Sequence, residues 1–214
     1  MAHTIYKTKS GEVVPSVTTV ISKNLGWNKD HLIGWAKKLA KQGKDSKEVV
    51  QEAADIGTLT HKLIETKIKN EDIDLSQYPR GNLILARNGL KGFIRWEEEW
   101  KPQEYIHNEV SLVSETYKYG GTIDIVAKKD DKLHILDCKT TNHLHPEMMI
   151  QLAAYKKMYE EVFNTVIESC SIIKLEKNTP SYTLYPITNE QLELGWNIFH
   201  NLIYLNDKQD ILEF

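Results

Sequence analysis

Two aspartates and a lysine occupy β-rich runs on either side of a short turn, which predicts a hairpin. A symmetric loop centred on Asp130-Asp131 places Asp124 directly opposite Asp137, and Lys139 shares their face because side chains alternate along a strand. Facing carboxylates are about 5 Å apart at Cβ and need a compensating cation. Lys139 can supply it, and so can a hard divalent ion such as Mg²⁺ or Mn²⁺. The alternative is an ordinary solvent-facing ladder of charges.

Two other segments carry side chains suited to metal or phosphate chemistry. His61 lies one helical turn after the pair Gly57-Thr58, and its imidazole is a good ligand for Mn²⁺. Gln151 and Tyr155 are four residues apart and share one face of a predicted helix. A lone histidine on a helix is more often structural, and such a tyrosine can simply pack on the sheet. Spacing alone leaves both interpretations open.

Four motifs, taken in order, resemble those of the PD-(D/E)XK nuclease superfamily, and the RecB-like exonuclease branch fits best. The matching segments are GTLTH at 57–61, GGTID at 120–124, DCKT at 137–140 and QLAAY at 151–155. The resemblance extends from about residue 16 to residue 155. It implies a restriction-endonuclease-like core and metal-dependent hydrolysis of phosphodiester bonds.

The resemblance also implies a set of metal ligands. His61, Asp124, Asp137 and the main-chain carbonyl of Cys138 would hold Mg²⁺ or Mn²⁺, a donor set that suits these ions. Glu109 stands in the strand before the hairpin, where the family often carries an acid near the metal. An exposed glutamate on a strand is also common, so the alternative of a solvated side chain stays open.

Further roles follow from the same resemblance. Lys139 would orient or deprotonate the attacking water, or hold the developing negative charge. Gln151 and Tyr155 would position the phosphate or the water, and Thr140 would donate to a phosphate oxygen. Glu65, one helical turn after His61, would either support that histidine or be solvated.

Two departures from the family pattern narrow the resemblance. Ile123 stands where the superfamily name has proline, which is common in this branch. The chain has two cysteines, Cys138 and Cys170, and so lacks the four that hold an iron–sulfur cluster in some relatives. The chain is therefore most similar to the cluster-free phage-type exonucleases and the mitochondrial genome-maintenance exonuclease.

The elements that must position these residues follow from hydrophobic periodicity. The pattern predicts helices over residues 30–44, 48–69, 83–100, 147–163 and 190–205, and strands over residues 104–113, 120–127, 133–140, 168–175 and 182–186. Residues 15–21 are ambiguous between a strand and a helix start. We expect an α/β (α+β) fold with a central mixed, mostly antiparallel sheet flanked by helices. One domain spans 1–214, mainly helical over 1–103, with the sheet core and C-terminal helices over 104–214.

Composition narrows the class of protein and the compartment. The 214 residues are 41% hydrophobic and 27% charged, which excludes a disordered or fibrous chain. No apolar run reaches the ~18 residues of a membrane helix, and the first residues lack the apolar core of a signal peptide. We therefore expect no membrane partner and a reducing cytoplasm, that of a bacterial or phage-infected cell, or a mitochondrion.

Charge is uneven along a chain whose net charge is −3. The first 51 residues contain nine lysines against four acidic residues. Lys37, Lys38 and Lys41 lie opposite the apolar stripe of the first predicted helix, as a ridge that could contact a nucleic-acid backbone. A solvated helix face explains the same lysines.

These observations together predict a metal-dependent DNA exonuclease that acts on single-stranded or frayed DNA ends, as in repair or recombination. One alternative is a structure-selective or restriction-type endonuclease. Another is a nucleic-acid-binding module that keeps the fold without the chemistry, against which the intact set of Asp124, Asp137 and Lys139 argues.

Overall fold

The computed structural model describes residues 4–27, 29–208 and 211. Its helices are α1 (Val17–Asn24), α2 (Lys29–Lys41), α3 (Ser46–Lys69), α4 (Arg80–Trp100), α5 (Pro146–Phe163) and α6 (Asn189–Lys208). Its strands are β1 (Tyr6–Lys7), β2 (Val13–Val14), β3 (Glu104–Ser114), β4 (Tyr119–Lys129), β5 (Lys132–Lys139), β6 (Ile167–Leu175) and β7 (Tyr182–Ile187). Predicted and observed limits agree within about one helical turn, the usual uncertainty of element ends.

Strands β3 to β7 form one sheet in sequence order. Neighbouring strands are antiparallel except β5 and β6, which are parallel because α5 crosses over between them. Helices cover both faces of the sheet. This arrangement confirms the predicted α/β class with a mixed, mostly antiparallel sheet.

The turn between β4 and β5 explains the register of the hairpin. Asp130 and Asp131 have φ values of 50° and 58°, as a two-residue turn with two left-handed residues requires. The predicted register is confirmed for the five pairs from Ile125↔Leu136 to Lys129↔Lys132. Two aspartates tolerate this backbone better than most residues, so the turn chemistry agrees with the strand pattern.

Two apolar clusters sandwich the sheet. On one face, α1, α5 and α6 bury Val17, Leu152 and Phe199 against residues of β4, β5 and β6. On the other face, α3 and α4 bury Ile64 and Trp96 against the same strands. Trp96 is fully buried and forms part of the core on this face.

The N-terminal segments differ from each other in packing. Ser16 resolves the ambiguity of residues 15–21, because its hydroxyl accepts a hydrogen bond from the Thr19 N–H and caps α1. The apolar stripe that predicts α2 is left uncovered: none of the residues of α2, all of which the structure describes, is buried. None of the helices in the described part of the chain combines the length and hydropathy needed to cross a bilayer.

Candidate active site

The middle of β4 and the last residues of β5 carry the two aspartates predicted to face each other. The observed pairing stops at Ile125↔Leu136, one step before Asp124 and Asp137. There the Asp124 carboxylate accepts a hydrogen bond from the Cys138 N–H at 2.8 Å. Asp124 therefore binds the backbone of β5, which corrects the expectation of a regular cross-strand pair of carboxylates.

Strand β4 changes face at Asp124. Ile123 and Ile125 are two residues apart, yet they pack in the clusters on opposite sides of the sheet. A regular strand would place them on one face, so the alternation is interrupted between them. The interruption frees the Asp124 side chain from both apolar layers, so that its carboxylate reaches the Cys138 N–H.

Glu109 lies in β3 at the position that corresponds to Asp124 in β4. The pairs Asn108↔Ile125 and Val110↔Ile123 flank it, so its place in the register is beside Asp124. Its φ is 52°, a left-handed conformation that is unusual for a strand residue with a side chain. The Asn108 Nδ2 donates to the Asp124 main-chain oxygen at 3.0 Å across the same position. Strained residues of this kind cluster at functional sites.

Helix α3 brings His61 to this point of the sheet. The His61 Nδ1 lies 3.3 Å from Glu109 Oε1 and 3.6 Å from Asp124 Oδ2, and its Nε2 lies 3.0 Å from the Cys138 carbonyl oxygen. Burial opposes the charged imidazole, but the carboxylates of Asp124 and Glu109 outweigh it and raise the pKa of His61 to about 9. The carboxylates therefore favour the protonated form of the imidazole.

The donor atoms at this place fit a divalent ion. Among the described residues, one ligand atom each from His61, Glu109 and Asp124 lies within 4.8 Å of the others. An imidazole with two carboxylates suits Mn²⁺, and the carboxylates together with the adjacent Cys138 carbonyl suit Mg²⁺. The predicted ligands His61 and Asp124 are thus brought together, with Glu109 as the third member, whereas Asp137 is not part of this group.

Asp137 instead forms a buried ion pair with Lys139. The Lys139 Nζ lies 2.9 Å from Asp137 Oδ1 and 2.7 Å from Oδ2. Burial disfavours the ammonium form, yet Asp137 and Asp124 keep the pKa of Lys139 above its ordinary value. Burial also raises the pKa of Asp137, and Lys139 opposes that shift. The pair places a fixed cation next to the metal-ligand group.

Gln151 and Tyr155 of α5 complete the surroundings of that cation. The Gln151 Nε2 donates to the Tyr155 hydroxyl oxygen at 2.8 Å, and the Gln151 Oε1 accepts from Lys139 Nζ at 3.4 Å. Burial raises the pKa of Tyr155, so its hydroxyl stays neutral. The ammonium of Lys139 can only donate, so this cation fixes the Gln151 amide with Oε1 towards it.

Two glycines of the sequence motifs allow close approaches around the site. A Cβ on Gly121 would lie 2.6 Å from Cε1 of Tyr155, so only glycine leaves room for this ring on β4. A Cβ on Gly57 would lie 3.2 Å from Oγ1 of Thr140, where α3 passes the end of β5. Packing, rather than backbone flexibility, accounts for both glycines.

An open cleft of about 580 Å³ lies over these groups. Thr140 and Thr141 line it from the loop after β5, and Met148 lines it from α5. Lys62 and Glu65 line it from α3; they form an ion pair at 2.8 Å, and hydrogen bonds from Lys62 and Lys69 lower the pKa of Glu65. Sequence analysis missed Lys62, although its position next to His61 on a helix was a usable signal.

The predicted lysine ridge lies apart from the cleft. Lys37, Lys38 and Lys41 are exposed on α2, and they are not among the residues that line the cleft in the described structure. Ala53 and Ala54, from the first half of α3, form the wall on the side of α2.

Comparison with known proteins finds solved structures that are similar to this chain. No protein-family model and no curated protein sequence matches this chain. Among solved structures, it is similar to one from Eubacterium rectale described as "Putative exonuclease", with a TM-score of 0.51 and 14% identity, covering 72% of this chain and 66% of that one. It is also similar to LHK-Exo in complex with dAMP, with a TM-score of 0.36 and 15% identity, over 76% of this chain and 92% of that one. The first similarity shows a shared fold over most of this chain.

Proposed function

We propose that this protein is a metal-dependent deoxyribonuclease of the PD-(D/E)XK superfamily, of the RecB-like branch without an iron–sulfur cluster. The observation that carries the proposal is the meeting of a metal-ligand group, His61, Glu109 and Asp124, with the buried Asp137–Lys139 pair in an open cleft. Structural ion pairs do not require an imidazole between two carboxylates, nor a strained glutamate to complete the group. Both features fit a site built for a divalent ion and a phosphate.

The residues of the metal-ligand group would have the following roles in catalysis. His61, Glu109 and Asp124 would hold Mg²⁺ or Mn²⁺, with the Cys138 carbonyl and Asp137 at its border. When bound, the ion supplies Lewis acidity to the scissile phosphate and lowers the pKa of water. The acidic group also makes phosphate entry depend on that ion, because carboxylates without a cation repel a phosphodiester.

Lys139 would stabilise the charge that develops during hydrolysis. Its Nζ is held by both oxygens of Asp137, so its position does not depend on substrate. A preorganised cation of this kind stabilises an attacking hydroxide and the pentacovalent phosphate without reorganisation. Gln151 would orient Lys139 and the attacking water, and Tyr155 would hold the Gln151 side chain in place through the hydrogen bond that it accepts from Nε2.

The substrate is proposed to be single-stranded or frayed DNA, cleaved from an end. The structure from Eubacterium rectale is described as a "Putative exonuclease", and the shared fold supports the same reaction type here. Thr140, at the rim of the cleft, would donate to a phosphate oxygen. Lys37, Lys38 and Lys41 would contact the backbone of the strand outside the cleft.

Digestion of linear and covalently closed single strands tests the proposal. Wild-type protein with Mg²⁺ or Mn²⁺ should release nucleotides from end-labelled linear DNA, and EDTA should stop the release. Asp124→Asn should be inactive under all conditions, which excludes a contaminating nuclease. Cutting of closed circles would establish an endonuclease instead, and inactivity with every divalent ion would leave a binding module of the same fold.

A further inference from the structure

Helix α2 exposes an apolar face outside the active-site cleft. Leu32, Ile33 and Trp35 are 59%, 53% and 38% exposed, although an amphipathic helix normally buries such residues. Only Ala36 and Leu39 of its apolar stripe are partly covered. Trp27, just before the helix, is 53% exposed as well. Exposed apolar surface of this extent marks an interaction site.

Positive charge borders this face. Lys29 lies one helical turn before Leu32, and Lys38 lies one turn after Trp35, so each apolar side chain has a lysine beside it on the helix surface. The whole of α2 contains four lysines and one acid, Asp30. Aromatic and apolar groups interleaved with lysines match the alternation of bases and phosphates along a single strand.

A cavity connects the face with the active site. It measures about 440 Å³ and lies between α1, α2 and α5, with Lys29 and Leu32 on the side of α2 and Met148 and Gln151 on the side of α5. Met148 also lines the active-site cleft, and Gln151 accepts from Lys139. Ile21 and Leu25 line the cavity too, and a base can pack against these apolar side chains. A strand on α2 would therefore pass directly to the catalytic groups.

We infer that α2 and this cavity bind a single strand of DNA, with Leu32 and Trp35 contacting bases and Lys29 and Lys38 contacting phosphates. The inference rests on the proposed function and names the form of its substrate. In a duplex the base faces are stacked inward, so only an unpaired strand can place them against apolar side chains. Charge complementarity and continuity with the cleft favour DNA over a second copy of this chain.

Binding to two oligonucleotides in EDTA tests the inference without cleavage. The probes are fluorescein-labelled dT20 and a strand of the same length whose sugars carry no bases. Trp35→Ala should weaken binding of dT20 by about fivefold or more, the scale of one lost base–aromatic contact, and leave binding of the abasic strand unchanged. Trp35→Phe should restore dT20 binding. Tyr204→Ala, which removes a more exposed aromatic side chain on α6, is the control and should bind as wild type.

The lysines give an independent measurement. Lys38→Gln should weaken both probes equally and flatten the dependence of affinity on salt, because one phosphate contact is lost. If Trp35→Ala weakened the binding of both probes equally, or of neither, the proposed contact between Trp35 and a base would be overturned. A wild-type dimer that dissociates on Trp35→Ala would overturn it too, since the face would then be a contact between copies.

These outcomes separate the inference from the proposed function. If the protein digests DNA and Trp35→Ala leaves dT20 affinity unchanged, the inference fails and the nuclease stands. If no divalent ion supports digestion but the base-dependent loss occurs, the strand-binding face stands and the nuclease fails.

Discussion

Helix α3 passes through two environments, and its two halves differ in how far they are packed into the molecule. Residues 46–55, all within the described part of the chain, include no buried side chain, and Val50 is 55% exposed. Residues 56–69 include six buried side chains, and Leu59 is 1% exposed. His61 belongs to the second half, which packs on α4 and the sheet. The metal-ligand group is therefore held by the packed part of the molecule.

The exposed half of α3 lines the edge of the cleft with Ala53 and Ala54, and α2 precedes it in the chain. Few buried apolar contacts mean low local stability, so this part can adjust to a strand while the ligand group stays in place. A catalytic group needs a fixed geometry, whereas a strand-binding surface must accept different bases. The difference in packing matches the difference in task, and four predictions test it.

The largest effect is expected from the cation beside the ligand group. Lys139→Met should reduce hydrolysis of linear DNA by at least about a hundredfold, because the preorganised positive charge is lost. Lys174 is the matched control, since it is the register neighbour of Lys139 on β6 and pairs with Glu176. Lys174→Met should stay within about twofold of wild type in single-turnover rates, the ordinary range for a group outside the reaction. Equal losses in the two variants would assign Lys139 a structural role only.

Substitutions in the two halves of α3 should change the free energy of unfolding by very different amounts. Leu59→Ala should lower the free energy of unfolding by about 2–5 kcal/mol, because it leaves a cavity between α3 and α4. Val50→Ala should change it by less than about 0.5 kcal/mol, as exposed substitutions do. Urea titrations of both variants measure this. A large effect of Val50→Ala would mean that the first half is covered in solution, which contradicts the contrast.

The left-handed backbone of Glu109 predicts an order of stability for the glycine and alanine variants that is opposite to the order at an ordinary strand position. At this left-handed position, Glu109→Gly should be more stable than Glu109→Ala by about 0.5–1 kcal/mol, because only glycine avoids the Cβ penalty. At Ser111, an exposed position of the same strand, the order should reverse, since glycine weakens an ordinary strand. Both Glu109 variants should lose most of the melting-temperature increase that Mn²⁺ gives the wild type. The same order of stability at both positions would show that the Glu109 backbone is not strained.

The smallest effect concerns pH and the metal-free protein. Because the pKa of His61 is raised to about 9, its ion pairs with Asp124 and Glu109 stabilise the fold fully below the ordinary histidine pKa of 6.5. That contribution should disappear as the pH rises through 9. Melts in EDTA between pH 6 and pH 10 should therefore show a decline that His61→Gln lacks. An identical decline in the variant would place its origin elsewhere.

Much of the fold follows from local patterns. The 3.6-residue and two-residue periodicities locate the helices and strands, and the Asp130-Asp131 turn sets the hairpin register that the structure confirms. Strand alternation places Lys139 on the same face as Asp137, and the ion pair between them is observed. The four-residue spacing of Gln151 and Tyr155 likewise leads to their hydrogen bond. Each of these results depends on neighbours in sequence or across one short turn.

Other features depend on contacts between distant segments. Strand alternation holds only while pairing is regular, and it ends at Asp124, where a side chain bonds to the backbone of β5 instead. The left-handed Glu109 has no sequence signal, because its strain is supported only by the surrounding sheet. The packing of α3 on α4 decides that His61 meets these acids, 48 residues from Glu109 along the chain. Likewise, periodicity shows that α2 has an apolar face, but only the tertiary structure shows that nothing in the described chain buries it. Burial is a property of the packed molecule, since one sequence pattern serves equally for a face against the core and a face against a partner.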